Sequence, residues 1–369
     1  MKKEDTNMEK NIANQFQIEE EIVSVKPFGD GLINTSFVVN TDSGKRYVLQ
    51  KINTDLFENV DGLMNNIVLV TEFLKEKIKE RQGDPERETL TVVRTHDNKP
   101  YYMDENQGAW RIYPFIEDTI SFSTTETEEQ FYKTGLAFGQ FQATLDDFDA
   151  SQLVEVLEKF HDTRHRYQQL MDAIEANPVD RVKEVQKEIE FVKQRKADAY
   201  RLYDMLDAKE LPLRVTHNDT KLNNILMDKE TLEGICIVDL DTIMPGLLLF
   251  DFGDSIRSGA NHVSEDEKDL SKVKFDLNLF KAYTRGFLEG SHSILTQAEL
   301  DNLAWGARVI TLEQAIRFLT DYINGDTYYA TTHDTHNLER TRVQMKLVQD
   351  MEEQWDEITE AVKEIAGQF

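Results

Sequence analysis

The chain has 369 residues, a formal net charge of −27 and one cysteine, Cys236. So acidic a surface repels nucleic acid and anionic lipid, and neither is expected as a partner. A single cysteine excludes an internal disulfide framework and a cysteine-based zinc site. The amino terminus has no apolar signal segment and the apolar stretches are too short to span a bilayer, so we expect a cytoplasmic protein.

The first third of the chain has the pattern of a small antiparallel sheet with one long helix. A glycine-containing turn over 29–35 leads into β-branched and aromatic residues, and a second turn over 41–44 has the composition of a hairpin. Alternating and helical spacings of apolar residues predict the elements that follow. They are strands over 46–52, 90–94 and 110–116, and a helix over 63–79.

From about residue 118 the pattern is helical almost throughout. Amphipathic spacing predicts one helix over 128–145, and the charged stretch 154–206 predicts two or three helices broken at Asn177-Pro178. Thr296 and Glu299 form a capping-box signature, which opens another long helix.

The most informative segment is 217–224, which has the sequence His-Asn-Asp-Thr-Lys-Leu-Asn-Asn; Asp239 and Asp241 follow after an apolar run. Phosphoryl transfer needs a carboxylate that accepts the hydroxyl proton, a cation beside the transferred group and oxygen ligands for Mg²⁺. The spacing from Asp219 to Asn224 matches that of a kinase catalytic loop. The segment therefore predicts a kinase, with Asp219 and Lys221 as catalytic residues.

A literal Asp-Phe-Gly triplet begins at Asp251, but its position argues against a metal-binding role. Asp251 lies 32 residues after Asp219, whereas Asp239 lies 20 residues after it. Residues 222–238 have the pattern of a short hairpin, which would deliver Asp239 beside Asn224. We therefore assign metal binding to Asp239 and predict that Asp251 holds the loop through hydrogen bonds to backbone amides.

The turn over 29–35 could cradle phosphates through backbone N–H groups. Its candidate nucleotide-binding residues are Gly29, Gly31, Asn34 and Thr35. In the following strand, Lys51 is the candidate that pairs the phosphates. Alternation along the strand places Lys51 and Gln50 on opposite faces, so a shift of one residue would bring Gln50 to the site instead. Both alternatives stay open.

At these residues the chain resembles the aminoglycoside phosphotransferase/choline kinase superfamily, over roughly residues 20–350. Within the superfamily, the segments 217–224, 238–246 and 317–322 are most similar to those of N-acetylhexosamine 1-kinases. These enzymes use ATP and Mg²⁺ to phosphorylate the anomeric hydroxyl of N-acetylglucosamine or N-acetylgalactosamine.

The resemblance implies an α+β, bilobal protein-kinase-like fold. The small antiparallel sheet would form an amino-terminal nucleotide-binding lobe over 1–117, and the helices a catalytic and substrate-binding lobe over 118–369. ATP and Mg²⁺ are the implied cofactors, and a sugar is the implied substrate. The resemblance makes Asp219 the base, and Asn224, Asp239 and Asp241 the metal ligands.

The substrate pocket is expected near the end of the helix that contains Arg317. Asn324-Gly325 has the pattern of a helix C-cap, so Tyr328 turns back just beyond it. Arg308, Tyr322 and Tyr329 are expected in the same region, which suits sugar hydroxyls and an acetamido carbonyl; a cationic substrate would need unpaired carboxylates. The predicted substrate-binding residues are Arg317 and Tyr328.

Other functions remain open from the sequence. The acceptor could instead be methylthioribose, homoserine, choline or an aminoglycoside. A nucleotide-binding scaffold without catalysis is the alternative outside enzymes, but the intact Asp219, Asn224 and Asp239 argue against it. Two histidines four residues apart, His161 and His165, are interpreted as a charged surface or at most the edge of the cleft.

Overall fold

The structure is a computed structural model that describes residues 5–29 and 33–369. The chain divides into two compact units. The first unit extends to residue 119 and also includes 151–157 and 235–244; the second comprises 120–150, 158–234 and 245–369. None of the helices in the described ranges is both long and apolar enough to cross a bilayer.

In chain order, the strands are β1 (Ile22–Pro27), β2 (Thr35–Thr41), β3 (Arg46–Ile52), β4 (Tyr102–Met103), β5 (Ala109–Pro114), β6 (Thr119–Ile120), β7 (Arg214–Thr216), β8 (Ile225–Asp228), β9 (Gly234–Ile237) and β10 (Met244–Gly246). The helices are α1 (Asp5–Ala13), α2 (Val60–Glu80), α3 (Pro85–Glu88), α4 (Glu128–Thr144), α5 (Thr163–Ala176), α6 (Gln186–Gln194), α7 (Lys196–Asp207), α8 (Leu248–Gly259), α9 (Leu277–Ser291), α10 (Gln297–Asn324), α11 (His336–Glu353) and α12 (Trp355–Ala366).

The first unit contains an antiparallel sheet with the strand order β1-β2-β3-β5-β4. The strand predicted over 46–52 and the helix predicted over 63–79 are confirmed as β3 and α2. The strand predicted over 90–94 is wrong, because only an isolated bridge joins Val93 to Ile112. The outer edge of β5 is already paired with β4 at Trp110. Residues 90–94 therefore form a single bridge with β5 and not a strand.

One face of this sheet packs into the core of the first unit. Leu49 on β3 and Ile112 on β5 are fully buried, and they pack with Phe16 and Trp110. Because side chains alternate along a strand, Gln50 points to the opposite face from Leu49. The sheet thus has one apolar face and one face that is free to carry polar groups.

The second unit is mostly helical, and local capping signals set several helix limits. The predicted capping box of Thr296 and Glu299 is present at the start of α10, and Gly325, with φ 92°, ends this helix as predicted. Asn177 adopts a left-handed conformation that ends α5, at the predicted break. Residues 154–162 are not helical, and α5 begins only after its N-cap Asp162.

Helix α8 was not predicted, although its residues include the Asp-Phe-Gly triplet. It packs closely against α10 at two glycines. A Cβ atom at Gly253 would lie 2.4 Å from the carbonyl oxygen of Gly306, and one at Gly306 would lie 2.2 Å from that of Leu249. These contacts leave no room for side chains, so the two helix backbones pack directly on each other.

Candidate active site

Three of the predicted residues meet on the loop between β7 and β8 in the second unit. The Nζ of Lys221 lies 2.8 Å from Oδ1 of Asp219. The side-chain amide of Asn224 donates to Oδ2 of Asp219 at 3.0 Å and to its carbonyl oxygen at 2.8 Å. The loop therefore holds Asp219, Lys221 and Asn224 in one hydrogen-bonded group.

The electrostatics of this group keep Asp219 charged. Burial opposes ionisation, but the Lys221 ammonium outweighs burial and holds the pKa of the Asp219 carboxyl below its ordinary value. The Asp219 carboxylate in turn raises the pKa of Lys221. At neutral pH the loop therefore presents an ionised proton acceptor with a cation beside it.

A buried carboxylate on α8 holds the backbone of this loop. Asp251 accepts hydrogen bonds from the backbone N–H groups of Asn218 at 2.7 Å and His217 at 2.8 Å. The side-chain amide of Gln142 also donates to it at 2.6 Å, and the hydroxyl of Thr220 donates to its carbonyl oxygen at 2.6 Å. The structural role predicted for Asp251 is confirmed, and its Asp-Phe-Gly triplet lies inside a helix.

Asn218, immediately before Asp219, has a left-handed backbone with φ 65°. Residues other than glycine adopt this conformation at a cost, so the surrounding structure must impose it. Asp251 holds its N–H group, and Nε2 of His161 lies 3.0 Å from its carbonyl oxygen. Both backbone groups of Asn218 are therefore anchored.

His161 is a buried residue, 8% exposed, and the interpretation of it as a surface histidine is wrong. Its ring packs against those of Phe160 and Phe250, with centroid distances of 4.4 and 5.6 Å. Its Nδ1 lies 3.1 Å from each carboxylate oxygen of Glu313 on α10. The histidine thus connects Glu313 to the carbonyl group of Asn218.

A cleft of about 420 Å³ opens in the second unit, lined by α5, the last turns of α10 and residues 327–329. Arg317 and Tyr328 both line it. The Arg317 side chain is 10% exposed, and its guanidinium carbon lies 5.9 Å from the ring centre of Tyr328. Its Nη1 lies 3.6 Å from the carboxylate of Glu313. The structure therefore brings the two predicted substrate residues together.

The loop that carries Tyr328 is held by Asp321 of α10. The carboxylate of Asp321 accepts hydrogen bonds from the backbone N–H groups of Thr327 and Tyr328, both at 2.9 Å, and of Tyr329 at 3.0 Å. The side-chain amide of Asn337 donates to it at 2.9 Å. Asp321 lines the cleft, but its oxygens are already used to position the loop.

A second arginine lines the same cleft. Burial and the nearby charge of Arg317 lower the pKa of Arg166. The Nε and Nη2 of Arg166 donate to the carbonyl oxygen of Phe160 at 3.1 and 2.8 Å, which fixes the position of the guanidinium. The cleft therefore contains two partly buried cations close enough to repel each other.

Arg308 and Tyr322, which were expected near the substrate, lie elsewhere in the second unit. Arg308 pairs with Asp198 at 2.5 Å and Glu352 at 2.8 Å. Tyr322 donates its hydroxyl to Glu184 at 3.2 Å. Successive residues of a helix are about 100° apart, so Arg308 and Tyr322, nine positions before and five after Arg317, lie on other sides of α10.

In the first unit, buried polar side chains surround Asp241, which is 4% exposed. Its Oδ1 lies 2.5 Å from Nη1 of Arg111, and its Oδ2 accepts a hydrogen bond from Asn34 at 2.6 Å. Burial opposes the charge of Arg111, but the Asp241 carboxylate outweighs burial and raises the pKa of the guanidinium. Oδ1 of Asp241 is thus in an ion pair and Oδ2 in a hydrogen bond within the protein.

Gln50 and Lys51 project to opposite sides of β3. Gln50 accepts hydrogen bonds from Nε and Nη2 of Arg111 at 3.1 and 3.0 Å, so it lies on the side of Asp241. Lys51 extends over the ring of Trp110, with its Nζ 5.7 Å from the centroid. The choice between Gln50 and Lys51 at the phosphates stays a prediction, and the cation on the Asp241 side is Arg111.

The turn residues predicted to bind nucleotide are placed as follows. Gly29 has φ 71°, which suits a tight turn, and Gly31 lies outside the described residues. Asn34 accepts a hydrogen bond from the backbone N–H of Asn53 at 3.0 Å in addition to its bond with Asp241. Thr35 opens β2.

The predicted metal ligands fit Mg²⁺ unequally. Asn224 uses its NH₂ group on Asp219, which leaves its oxygen as the ligand atom. Asp239 has φ 60° and lies directly before the short 3₁₀ turn Leu240–Thr242 in the first unit. Asp241 fits poorly, because its oxygens are engaged. In the part of the chain that the structure describes, no group of three or more His, Cys, Asp or Glu side chains could hold a metal.

The sequence did not indicate Arg111 or Glu313, and His161 was interpreted only as a charged surface or at most the edge of the cleft. Glu313 and Arg317 lie four apart on one helix, and this spacing was an available signal. His161 offered none, because its partners Glu313 and Asn218 are 152 and 57 residues away in the chain. An arginine in a strand, such as Arg111, is ordinarily expected in solvent.

The sequence matches the model of the phosphotransferase enzyme family over residues 24–288. Among solved structures, it is similar to an aminoglycoside phosphotransferase from Alicyclobacillus acidocaldarius, with 13% identity, a TM-score of 0.59 and coverage of 97% of this chain and 95% of that one. It is also similar to choline kinase from Cryptosporidium parvum, with 14% identity, a TM-score of 0.57 and coverage of 98% and 99%. A microcompartment-associated aminopropanol kinase matches with 12% identity, a TM-score of 0.60 and coverage of 94% and 97%.

At these identities, the similar structures show the fold alone. Their agreement with the antiparallel sheet of the amino-terminal region and the helical remainder confirms the predicted α+β, protein-kinase-like fold class. The family model covers well over half of the chain. The chain therefore belongs to the phosphotransferase enzyme family, within the aminoglycoside phosphotransferase/choline kinase superfamily that its catalytic-loop motif resembles.

Proposed function

We propose that this small-molecule kinase is a cytoplasmic N-acetylhexosamine 1-kinase, which transfers the γ-phosphoryl group of ATP to the anomeric hydroxyl of N-acetylglucosamine or N-acetylgalactosamine. The observation that carries the proposal is the cleft that contains Arg317 and Tyr328. An arginine donates to hydroxyl or acetamido oxygens, while a tyrosine ring packs on a sugar and its hydroxyl hydrogen-bonds. The resemblance of segments 217–224, 238–246 and 317–322 to N-acetylhexosamine 1-kinases supports the same acceptor.

The charges of the cleft favour a neutral acceptor over a cationic one. Arg166 and Arg317 line it with the exposed carboxylate of Asp172, which accepts a hydrogen bond from Gln168. The carboxylate of Glu313 is shared between Arg317 and His161. The carboxylate of Asp321 is engaged by four N–H donors. Choline, aminopropanol and aminoglycosides carry cationic groups, which the two partly buried arginines would repel. An N-acetylated sugar offers oxygen acceptors and no positive charge.

In the proposed reaction, Asp219 accepts the proton of the anomeric hydroxyl while the sugar oxygen bonds to the γ-phosphorus and the bond to the departing ADP breaks. An anomeric hydroxyl is more acidic than an ordinary alcohol, so a carboxylate with a lowered pKa suffices as base. The ammonium group of Lys221, whose side chain is 45% exposed, can turn from Asp219 to the transferred phosphoryl group.

The cofactor assignments extend the same proposal. Asn224 and Asp239 are the residues that would hold Mg²⁺, which when bound neutralises charge on the nucleotide phosphates. We propose Asp241 as an indirect contributor, because its own oxygens are engaged. The candidates for the nucleotide are Gly29, Gly31, Asn34, Thr35 and Lys51, with Gln50 as the alternative to Lys51.

An acceptor screen tests the proposal directly. ADP release from ATP and Mg²⁺ would be measured with both N-acetylhexosamines, glucose, galactose, methylthioribose, homoserine, choline and an aminoglycoside. We expect an N-acetylhexosamine to give the highest kcat/KM, and phosphorus NMR of the product to show a phosphate at the anomeric carbon. Preference for choline or an aminoglycoside, or phosphate at another sugar carbon, would contradict the assignment.

A further inference from the structure

A buried series of contacts runs from the cleft to the catalytic loop through His161. Arg317 lines the cleft and lies 3.6 Å from Glu313. Glu313 faces Nδ1 of His161 at 3.1 Å, and Nε2 of His161 lies 3.0 Å from the carbonyl oxygen of Asn218. Asn218 is bonded directly to Asp219, so the series ends at the proposed catalytic base.

The geometry around His161 favours its doubly protonated form. Both ring nitrogens face oxygen acceptors, and a neutral imidazole carries one N–H group and could donate to only one of them. An imidazolium donates to both, with the Glu313 carboxylate as its counter-ion. Burial opposes this charge, but Glu313 outweighs burial and raises the pKa of His161 above its ordinary value.

Charged groups on three helices act on the His161–Glu313 pair. Arg317 on α10 opposes a proton on His161. Arg166 on α5 stabilises the negative charge of Glu313. Asp251 on α8 interacts favourably with the positive charge of His161. The pair therefore has carboxylates near the imidazolium and arginines near the carboxylate, an arrangement that favours the ionised form of each partner.

We propose that His161, as an imidazolium paired with Glu313, is a positioning residue for Asp219, and that loss of its proton slows phosphoryl transfer. Its bond to the carbonyl of Asn218 and the bond of Asp251 to the N–H of Asn218 hold a left-handed residue in place. A neutral His161 can donate to only one of its two acceptors, so the peptide before Asp219 loses an anchor. The inference rests on the proposed function, in which Asp219 is the base.

The first test measures the protonation of His161 in the full chain without any acceptor. Long-range proton–nitrogen NMR of ¹⁵N-histidine-labelled protein would be recorded from about pH 5 to about pH 9, the range in which histidines titrate. The His161 signals would be assigned by their loss in His161→Gln. We expect both nitrogens to remain protonated above the ordinary titration range, and Glu313→Gln to lower the midpoint. A neutral ring at about pH 6, or an unchanged midpoint in Glu313→Gln, would overturn the proposal.

The second test compares this titration with catalysis. We expect kcat of the wild type to fall as the pH rises through the NMR midpoint of His161. In His161→Gln this alkaline limb should disappear and kcat should be about tenfold lower, the order expected for a lost charged hydrogen bond, with the KM for ATP unchanged. His165→Gln, four residues further along the chain in the first turn of α5, is the matched control and should behave as wild type.

An alkaline limb retained in His161→Gln would show that another group controls the pH dependence, and the proposal would fail. The proposal would also fail if His161→Gln lowers only the melting temperature and leaves kcat unchanged. If His161→Gln does not fold, the wild-type curves still decide, because kcat that stays constant across the NMR midpoint refutes the role. If no N-acetylhexosamine is phosphorylated, the proposed function fails, while the NMR titration and kcat with the acceptor found in the screen still test His161.

Discussion

The replacement Asp251→Ala tests how the catalytic loop is held. The carboxylate is 1% exposed and accepts hydrogen bonds from two backbone N–H groups, of His217 and Asn218, and from the amide of Gln142. The alanine variant leaves all three donors buried without this acceptor. We expect it to fold less stably and to hold the loop less firmly, so that both the melting temperature and kcat fall.

The size of the effect follows from the number of donors. Each buried donor left unsatisfied costs about 1–3 kcal/mol, so three donors cost at least about 3 kcal/mol. Unfolding entropy is about 2.1 cal/mol/K per residue, so in a chain of 369 residues each kcal/mol lowers Tm by roughly 1.3 °C, and the expected decrease is at least about 4 °C. Asp251→Asn should lie between wild type and Asp251→Ala, because it keeps one acceptor oxygen. Burial raises the pKa of Asp251, and the amide also removes the cost of burying this charge.

Thermal unfolding followed by circular dichroism, together with urea titration, would measure the loss. Asp301→Ala is the matched control, since Asp301 is an exposed residue of α10 whose side chain accepts one bond from Gln297. Its stability should stay within about 0.5 kcal/mol of wild type. An Asp251→Ala protein that melts within about 1 °C of wild type would refute the reasoning. If Asp251→Ala loses all activity at an unchanged Tm while Asp239→Ala is tolerated, Asp251 and not Asp239 is the metal ligand, and the metal assignment is wrong.

Three further predictions concern the chemistry and the acceptor. Asp219→Asn should lower kcat at least about a hundredfold with little change in ATP affinity, because general-base catalysis contributes about 10²- to 10⁴-fold. Wild-type turnover in this variant would remove Asp219 from the mechanism. Asp239→Ala should abolish activity without unfolding the protein, and an active Asp239→Ala enzyme would exclude the metal role. Asp241→Asn should lower Tm, because its buried arginine partner loses a counter-ion. Arg317→Ala and Tyr328→Phe should raise the KM for the sugar and leave the KM for ATP nearly unchanged. Unaltered sugar kinetics in both variants would place the acceptor site elsewhere in the second unit.

Features that depend on neighbouring residues could be predicted from the sequence. The start of α10 is set by the capping box of Thr296 and Glu299, and its end by Gly325, so both limits could be predicted. Local spacing also predicted the structural role of Asp251, whose carboxylate accepts hydrogen bonds from the N–H groups of His217 and Asn218. The predicted strand over 90–94 is wrong because local sequence does not specify which distant segment pairs with the outer edge of β5.

The sequence alone determined the fold class, because local apolar spacing separates the strands of the first third of the chain from the helices that follow. It also determined the grouping of Asp219, Lys221 and Asn224, because one short loop supplies all three side chains. Only the tertiary structure showed that Arg111 neutralises Asp241 and that His161 joins Glu313 to the loop. These are contacts between side chains from distant parts of the chain, and no periodicity or spacing encodes them. Burial then changes their chemistry, because a charge removed from water must find its partner within the protein.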